Sequence, residues 1–153
     1  MAMLRDDMND ALKDAMRARD TRKTATLRLI LAAVKDRDIA AREDGKRDLV
    51  GDDEILNILQ KMVRQRREAI ESFEQAGRLE MAEQEAEEIR IIEEFLPRQM
   101  DDEEIETAVK QAIGEVEASS LKDMGKVMTV LRDKYAGQME FAKASAVAKQ
   151  ELS

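Results

Sequence analysis

The stretch DEILNILQKMVRQRREAIESFEQAG, residues 53–77, constrains the chain more than any other. At about 100° per residue, Ile55, Leu59, Met62, Val63, Ala69, Ile70 and Phe73 fall on one arc. That i, i+3, i+4 spacing is the pattern of an amphipathic helix laid on a core. Lys61, Arg64, Arg67, Glu68 and Glu71 occupy the opposite arc. Asp52 or Asp53 is the expected N-cap, because a carboxylate accepts the free amides and suits the positive helix end. Gly77 follows the last periodic residue, where glycine takes the left-handed conformation at least cost. Arg66 interrupts the apolar arc. A guanidinium buried alone is costly, so Arg66 needs a carboxylate or a route to water. Asp38, on the otherwise apolar arc of the preceding helix, is the leading expected partner in a structural ion pair. A glutamate of the following helix, or an exit to solvent along the aliphatic stem of Arg66, is the alternative.

The rest of the chain repeats this pattern. Leu4, Met8, Ala11, Leu12, Ala15 and Met16 predict a first helix ending near Arg19. Asp20 or Thr21 then caps a second, whose core face is Leu27, Ile30, Leu31, Val34 and Ala41. Along its flank Arg28, Lys35 and Arg42 recur every seven residues as a basic stripe. A loop at 43–53 leads into the central helix. Gly77-Arg78 then turns directly into a fourth helix with Leu79, Ala82, Ala86, Ile89 and Leu96 on its buried side, so the two form an antiparallel hairpin. Ile91 and Phe95 point elsewhere and are candidates for docking the tail. Pro97, the only proline, stops the fourth helix. Beyond it, Asp101 to Glu104 is a capping-box start for a helix burying Ile105, Val109, Ala112, Ile113 and Val116. Ser120 to Asp123 opens another, with Met124, Val127, Met128 and Leu131 inside, and residues 141–152 form a last short one. The expected fold is all-α: a helical N-terminal domain (1–97) with a long hairpin, then a small three-helix domain (98–153).

Composition narrows the chemistry. The chain has no His and no Cys, which removes the usual general base, the thiolate nucleophile and the commonest metal ligand. The serines stand in no nucleophile elbow, and glycine-rich phosphate loops are missing. Glu83, Glu87 and Glu94 lack the histidines of a di-iron helix site and read as an acidic face. The expectation is therefore no catalytic residue, no metal and no cofactor. No apolar run is long enough to span a bilayer and the start is no secretory signal, so the expected protein is cytoplasmic and free of the membrane. Net charge is −8, which opposes nonspecific nucleic-acid binding as a whole. The charge is regional, however: residues 1–47 hold 12 Lys and Arg against 9 Asp and Glu, while 80–94 hold one Arg against 7 Glu.

What remains is a binding surface. Arg28, Lys35 and Arg42, then Lys61, Arg64 and Arg67, place cations on long helices, with a solvated flank as the plain alternative. In the tail Lys122 and Lys126 stand one turn apart, with Gly125 beside them. A glycine within a helix costs about 0.5–1 kcal/mol relative to alanine. It is tolerated where another helix packs closely, the plainer explanation, or where a ligand backbone must approach.

The segments LRLILAAVKDRDIAARE (27–43), KMVRQRREAIESFEQAGR (61–78), EEFLPRQMDDEEIE (93–106) and ASSLKDMGKVM (118–128) together resemble the GatB/YqeY family, in order and over nearly the whole chain. The resemblance implies an all-α fold and a free-standing relative of the tail of the B subunit of glutamine-dependent tRNA amidotransferases. There the tail contacts tRNA without performing the chemistry. By family transfer such chains are linked to carbon–nitrogen ligase activity with glutamine as amido donor. Lys122, Gly125 and Lys126 match the Gly-x-x-Met region of that tail. The segment AGQMEF (136–141) departs from the basic, glycine-rich link many relatives have there. Two expectations stand: a tRNA-binding accessory protein contacting tRNA, or a tRNA-handling enzyme, through Lys122, Gly125, Lys126, Arg28, Lys35, Arg42, Arg64 and Arg67; or a non-catalytic helical module for protein–protein interaction.

Overall fold

The computed structural model describes residues 3–45 and 49–153, and every regular element among them is helical. The order is α1 (Met3–Arg17), α2 (Thr21–Glu43), α3 (Asp52–Gln75), α4 (Leu79–Glu93), α5 (Asp102–Glu115), a single 3₁₀ turn (Leu121–Asp123), α6 (Met124–Tyr135) and α7 (Phe141–Leu152). Lys46, Arg47 and Asp48 of the expected 43–53 loop lie outside the described residues. The chain forms two compact units, Met1–Leu96 and Pro97–Ser153.

In the first unit, α1 pairs with α2 and α3 pairs with α4. Met8, Leu27, Ile30, Ile55, Leu59 and Ile92 are fully buried between them, each contributing about 1.5–3 kcal/mol from the water it sheds. Asp20 caps α2 by accepting the Lys23 amide at 3.1 Å. Gly77 turns the hairpin with φ 72°, and the Arg78 amide reaches back to the Phe73 carbonyl at 2.8 Å. α2 crosses the open end of this hairpin. Arg22 and Lys23 at its start meet Glu87 and Glu94 of the α4 segment, while Arg37 near its end meets Glu54 of α3 at 3.1 Å. The other end of the hairpin is bare: residues 74–81 are all exposed.

Several expectations change here. Leu79, expected inside, is 68% exposed because it sits at that bare tip; Ile92, near the base, is fully buried instead. Gly51, not Asp52 or Asp53, is the N-cap of α3. Asp52 instead accepts the Leu4 amide at 3.3 Å, tying α1 to α3. Phe95, a candidate for docking the tail, packs with Leu96 on the core of its own unit.

The expected Arg66–Asp38 pair is not formed. Arg66 Nε donates to Glu88 Oε2 at 2.8 Å, with Glu85 Oε2 at 4.0 Å, and its side chain is only 14% exposed. The alternative partner, a glutamate of the fourth helix, is therefore the observed one. Asp38 is satisfied elsewhere. Both its oxygens receive the Arg5 guanidinium, at 2.9 and 3.0 Å, and Oδ1 also accepts the Val50 amide at 3.0 Å. The physical reason lies in the pairing of helices. α3 lies along α4 over most of its length but meets α2 only briefly, so Arg66, midway along α3, has α4 as its neighbour.

In the second unit, Val109, Val127, Leu131 and Met139 form the core with Ala144 and Ala148 of α7. The capping box at Asp101 and Glu104 is closed in both directions, at 2.8 and 3.1 Å. The 136–140 turn serves packing: Met139 is buried, the Met100 amide donates to Gln138 O at 2.8 Å, and Gln99 Nε2 donates to Gly137 O at 2.6 Å. That internal use accounts for a segment without basic residues.

Candidate nucleic-acid interface

The tail site is built by a short turn. The amides of Ser119 and Ser120 donate to Asp123 Oδ2 at 2.9 and 3.4 Å. The Ser119 bond holds the Asp123 carboxyl below the usual carboxylate range against partial burial, helped by Ser120 and the nearby Lys126 charge. Asp123 thus stays ionised and locks the bend that carries Lys122 into α6. Lys122, Gly125 and Lys126 are all exposed on this corner. A Cβ added at Gly125 would meet nothing within 4 Å. Close packing within the chain, the plainer explanation, therefore does not account for this glycine. The Gly125 carbonyl accepts the Thr129 hydroxyl at 2.8 Å, so what the missing side chain leaves uncovered on this corner is the Cα face.

The remaining expected site residues lie in the first unit. Arg28, Lys35 and Arg42 run along α2, and Arg64 and Arg67 lie on α3, all exposed. Among the described residues, none of these five, nor Lys122 or Lys126, joins an ion pair within 4 Å. By contrast Arg5, Arg22, Lys23, Arg37, Arg66, Arg90, Arg98, Lys110, Lys134 and Lys143 all do. An unpaired surface cation keeps its field for an external anion, whereas a paired one has largely lost it. The expected residues thus separate into a tail corner, an α2 row and an α3 pair.

Sequence reasoning passed over one neighbour of the α2 row. Met16, assigned to the core, is 43% exposed, and Arg28 Nη2 lies 3.5 Å from its sulfur. Its place at the last turn of α1, beyond the core positions, was the available signal. The acidic face of α4 is also less free than expected, since Glu83, Glu87 and Glu94 pair with Arg90, Arg22 and Lys23.

Among known proteins, the chain is 31% identical over 86 residues to an uncharacterized protein of Schizosaccharomyces pombe, covering 56% of this chain and 66% of that one. It is 33% identical over 85 residues to Altered inheritance of mitochondria protein 41, mitochondrial, of Eremothecium gossypii, covering 56% and 44%. The protein of that name from Kluyveromyces lactis is 30% identical over 84 residues, covering 55% and 43%. The chain thus spans less than two-thirds of the length of the curated relatives it matches. Two of them are named as mitochondrial, which overturns the cytoplasmic expectation: a charged, helical composition without a spanning segment does not identify a compartment. The Yqey-like protein family matches residues 5–152, nearly the entire chain, and the protein belongs to that family.

Proposed function

We propose that this chain is a tRNA-binding accessory protein that works beside a tRNA-handling enzyme, with the tail corner as its principal RNA contact. The observation that carries this reading is the corner itself: Lys122 and Lys126 are exposed and outside any ion pair within 4 Å, and Gly125 beside them carries no side chain to cover its Cα. Two ammonium groups and an approachable backbone suit phosphate and sugar, and the shape of a folded RNA, better than base edges. Arg64 and Arg67 extend the same chemistry on α3. tRNA, rather than RNA at large, comes from the resemblance to the amidotransferase tail. So does the association with glutamine-dependent carbon–nitrogen ligase chemistry, which this reading assigns to the partner enzyme.

The test is a filter-binding titration of the full chain against total tRNA at two salt concentrations. Lys122→Glu with Lys126→Glu is expected to weaken binding and flatten the salt dependence by about one ion per lost contact. If the double variant binds as the parent does, the tail corner is not the RNA site. If the parent itself does not bind, the tRNA reading falls.

A further inference from the structure

The α2 row carries a second feature, which goes beyond the RNA reading. Ala25, Leu29, Ala32, Asp36, Ile39 and Glu43 succeed one another at alternating spacings of four and three residues, and all six are exposed. This is a heptad seam turned toward solvent, while the opposite side of α2 buries Leu27, Ile30 and Val34. Leu29 and Ile39 are 50% and 47% exposed. In the heptad frame with Leu29 at position a, Arg28, Lys35 and Arg42 all fall at position g, the edge that sets partner choice in coiled coils.

We propose that the outer face of α2 docks a helix of a partner protein whose apolar seam meets Leu29, Ala32 and Ile39, and whose facing edge is acidic. Charge complementarity selects this occupant. None of the three g-position cations joins an ion pair within 4 Å, although Arg42 lends part of its field to Asp38, so a row of carboxylates at seven-residue spacing answers all of them. A second copy of this chain fits poorly. Its acidic 83–94 segment already pairs Glu83, Glu87 and Glu94 internally, and two α2 faces set antiparallel would oppose g to g, cation to cation. RNA answers the cations but leaves Leu29 and Ile39 in water, and exposed aromatics for base stacking are lacking among the described residues. Asp36 and Glu43 are acidic and lie on the seam itself, so the apolar contact is confined to Leu29, Ala32 and Ile39.

The experiment uses the full chain and two designed 21-residue helical peptides. Both carry Leu and Ile at a and d; one has Glu at e and g, the other Lys. Isothermal titration is expected to show binding of the Glu peptide and none of the Lys peptide. Arg28→Glu, Lys35→Glu and Arg42→Glu together should reverse that preference. Leu29→Gln with Ile39→Gln should weaken the Glu peptide at least about tenfold. All five positions are exposed, and unchanged circular dichroism checks that folding is intact. No binding of the Glu peptide up to about 1 mM, a weak affinity by any standard, overturns the proposal. So does equal binding of both peptides, or cross-linking of the α2 face to a second copy or to residues 97–153. Loss of tRNA binding in the α2 charge-reversed variant equal to that in the Lys122/Lys126 variant would reassign the row to RNA. Failure of the tRNA titration itself leaves the peptide result standing.

Discussion

Arg5 and Asp38, 33 positions apart in sequence, form a bidentate ion pair with both N–O distances between 2.9 and 3.0 Å. The same guanidinium donates to the Val50 carbonyl at 3.1 Å, and the same carboxylate accepts the Val50 amide. One pair therefore ties α1, α2 and Val50, just ahead of α3. Both side chains keep little exposure, 17% and 10%. Arg5→Met leaves Asp38 with only the Val50 amide as hydrogen-bond donor and is expected to cost about 3 kcal/mol, the lower end for a broken buried pair. Asp38→Leu in that background should recover part of the loss. Urea unfolding of the three variants measures both values, and a cost under about 0.5 kcal/mol, as at an ordinary surface site, would show that the pair is not structural.

The same pair sets an acid limit. The Arg5 hydrogen bonds hold the Asp38 carboxyl below its ordinary value, outweighing burial, with help from the Val50 amide. A carboxylate depressed in the folded state contributes its stability fully above the unfolded value, about 3.9. That contribution fades as pH falls through the lower folded value. Asp38→Asn should therefore be less stable than the parent by a constant amount from pH 5 to 7, in the plateau above that value. The gap should narrow at the most acidic pH where both still fold. A gap that widens toward acid contradicts this assignment.

Arg66 and Glu88 are the corresponding staple within the α3–α4 hairpin. A double-mutant cycle with Arg66→Met and Glu88→Leu is expected to show a coupling of about 1–2 kcal/mol, within the range for residues in direct contact. The same cycle of Arg66→Met with Asp38→Leu should be additive within about 0.5 kcal/mol. Coupling to Asp38 in place of Glu88 would contradict the observed helix pairing.

Glu85 sits near that staple at a disadvantage. Burial raises its carboxyl above the ordinary value, repulsion from Glu88 adds to this, and the Arg66 charge offsets only part. A carboxylate raised in the folded state loses stability as pH climbs through its folded value. Glu85→Gln should thus stabilise the protein near pH 7, and the gain should fade below about pH 4, where the glutamate is largely protonated in both states. Thermal unfolding at the two pH values reads the difference directly.

Helices and their inward faces were legible because burial repeats with the helical period. Ile55, Leu59, Val109 and Leu131 are buried on the arcs their spacing defines. Arg66 and Asp38 were legible as misplaced charges for the same reason. Their partners were not, because the period fixes the rotation of each helix and not its neighbour. Arg5 was hidden more simply: it lies at the edge of the α1 apolar arc, one residue after Leu4, where a charge raises no alarm. Ile92 and Met139 were missed because both occupy sites decided by tertiary context, the base of the hairpin and an irregular turn. The exposed seam on α2 was hidden in turn. A helix with apolar residues on two sides reads as buried until the structure shows which side is left open.

Gly125 offers a test in which stability and binding should move in opposite directions. It sits in α6 with no atom placed to clash with an added Cβ, so Gly125→Ala should stabilise the folded chain by about 0.5–1 kcal/mol. If the uncovered Cα face is where RNA approaches, the same methyl should weaken tRNA binding, because it covers that face without removing a charge. The salt dependence should therefore stay as in the parent, unlike that of the lysine variants. Gly114 is the internal control: it also lies in a helix, in α5, with nothing within 4 Å of an added Cβ. Gly114→Ala should leave tRNA affinity untouched while stabilising in the same direction. Equal tRNA affinity for Gly125→Ala and the parent would mean that the glycine has no part in RNA contact, leaving only the two lysines to carry the tail site.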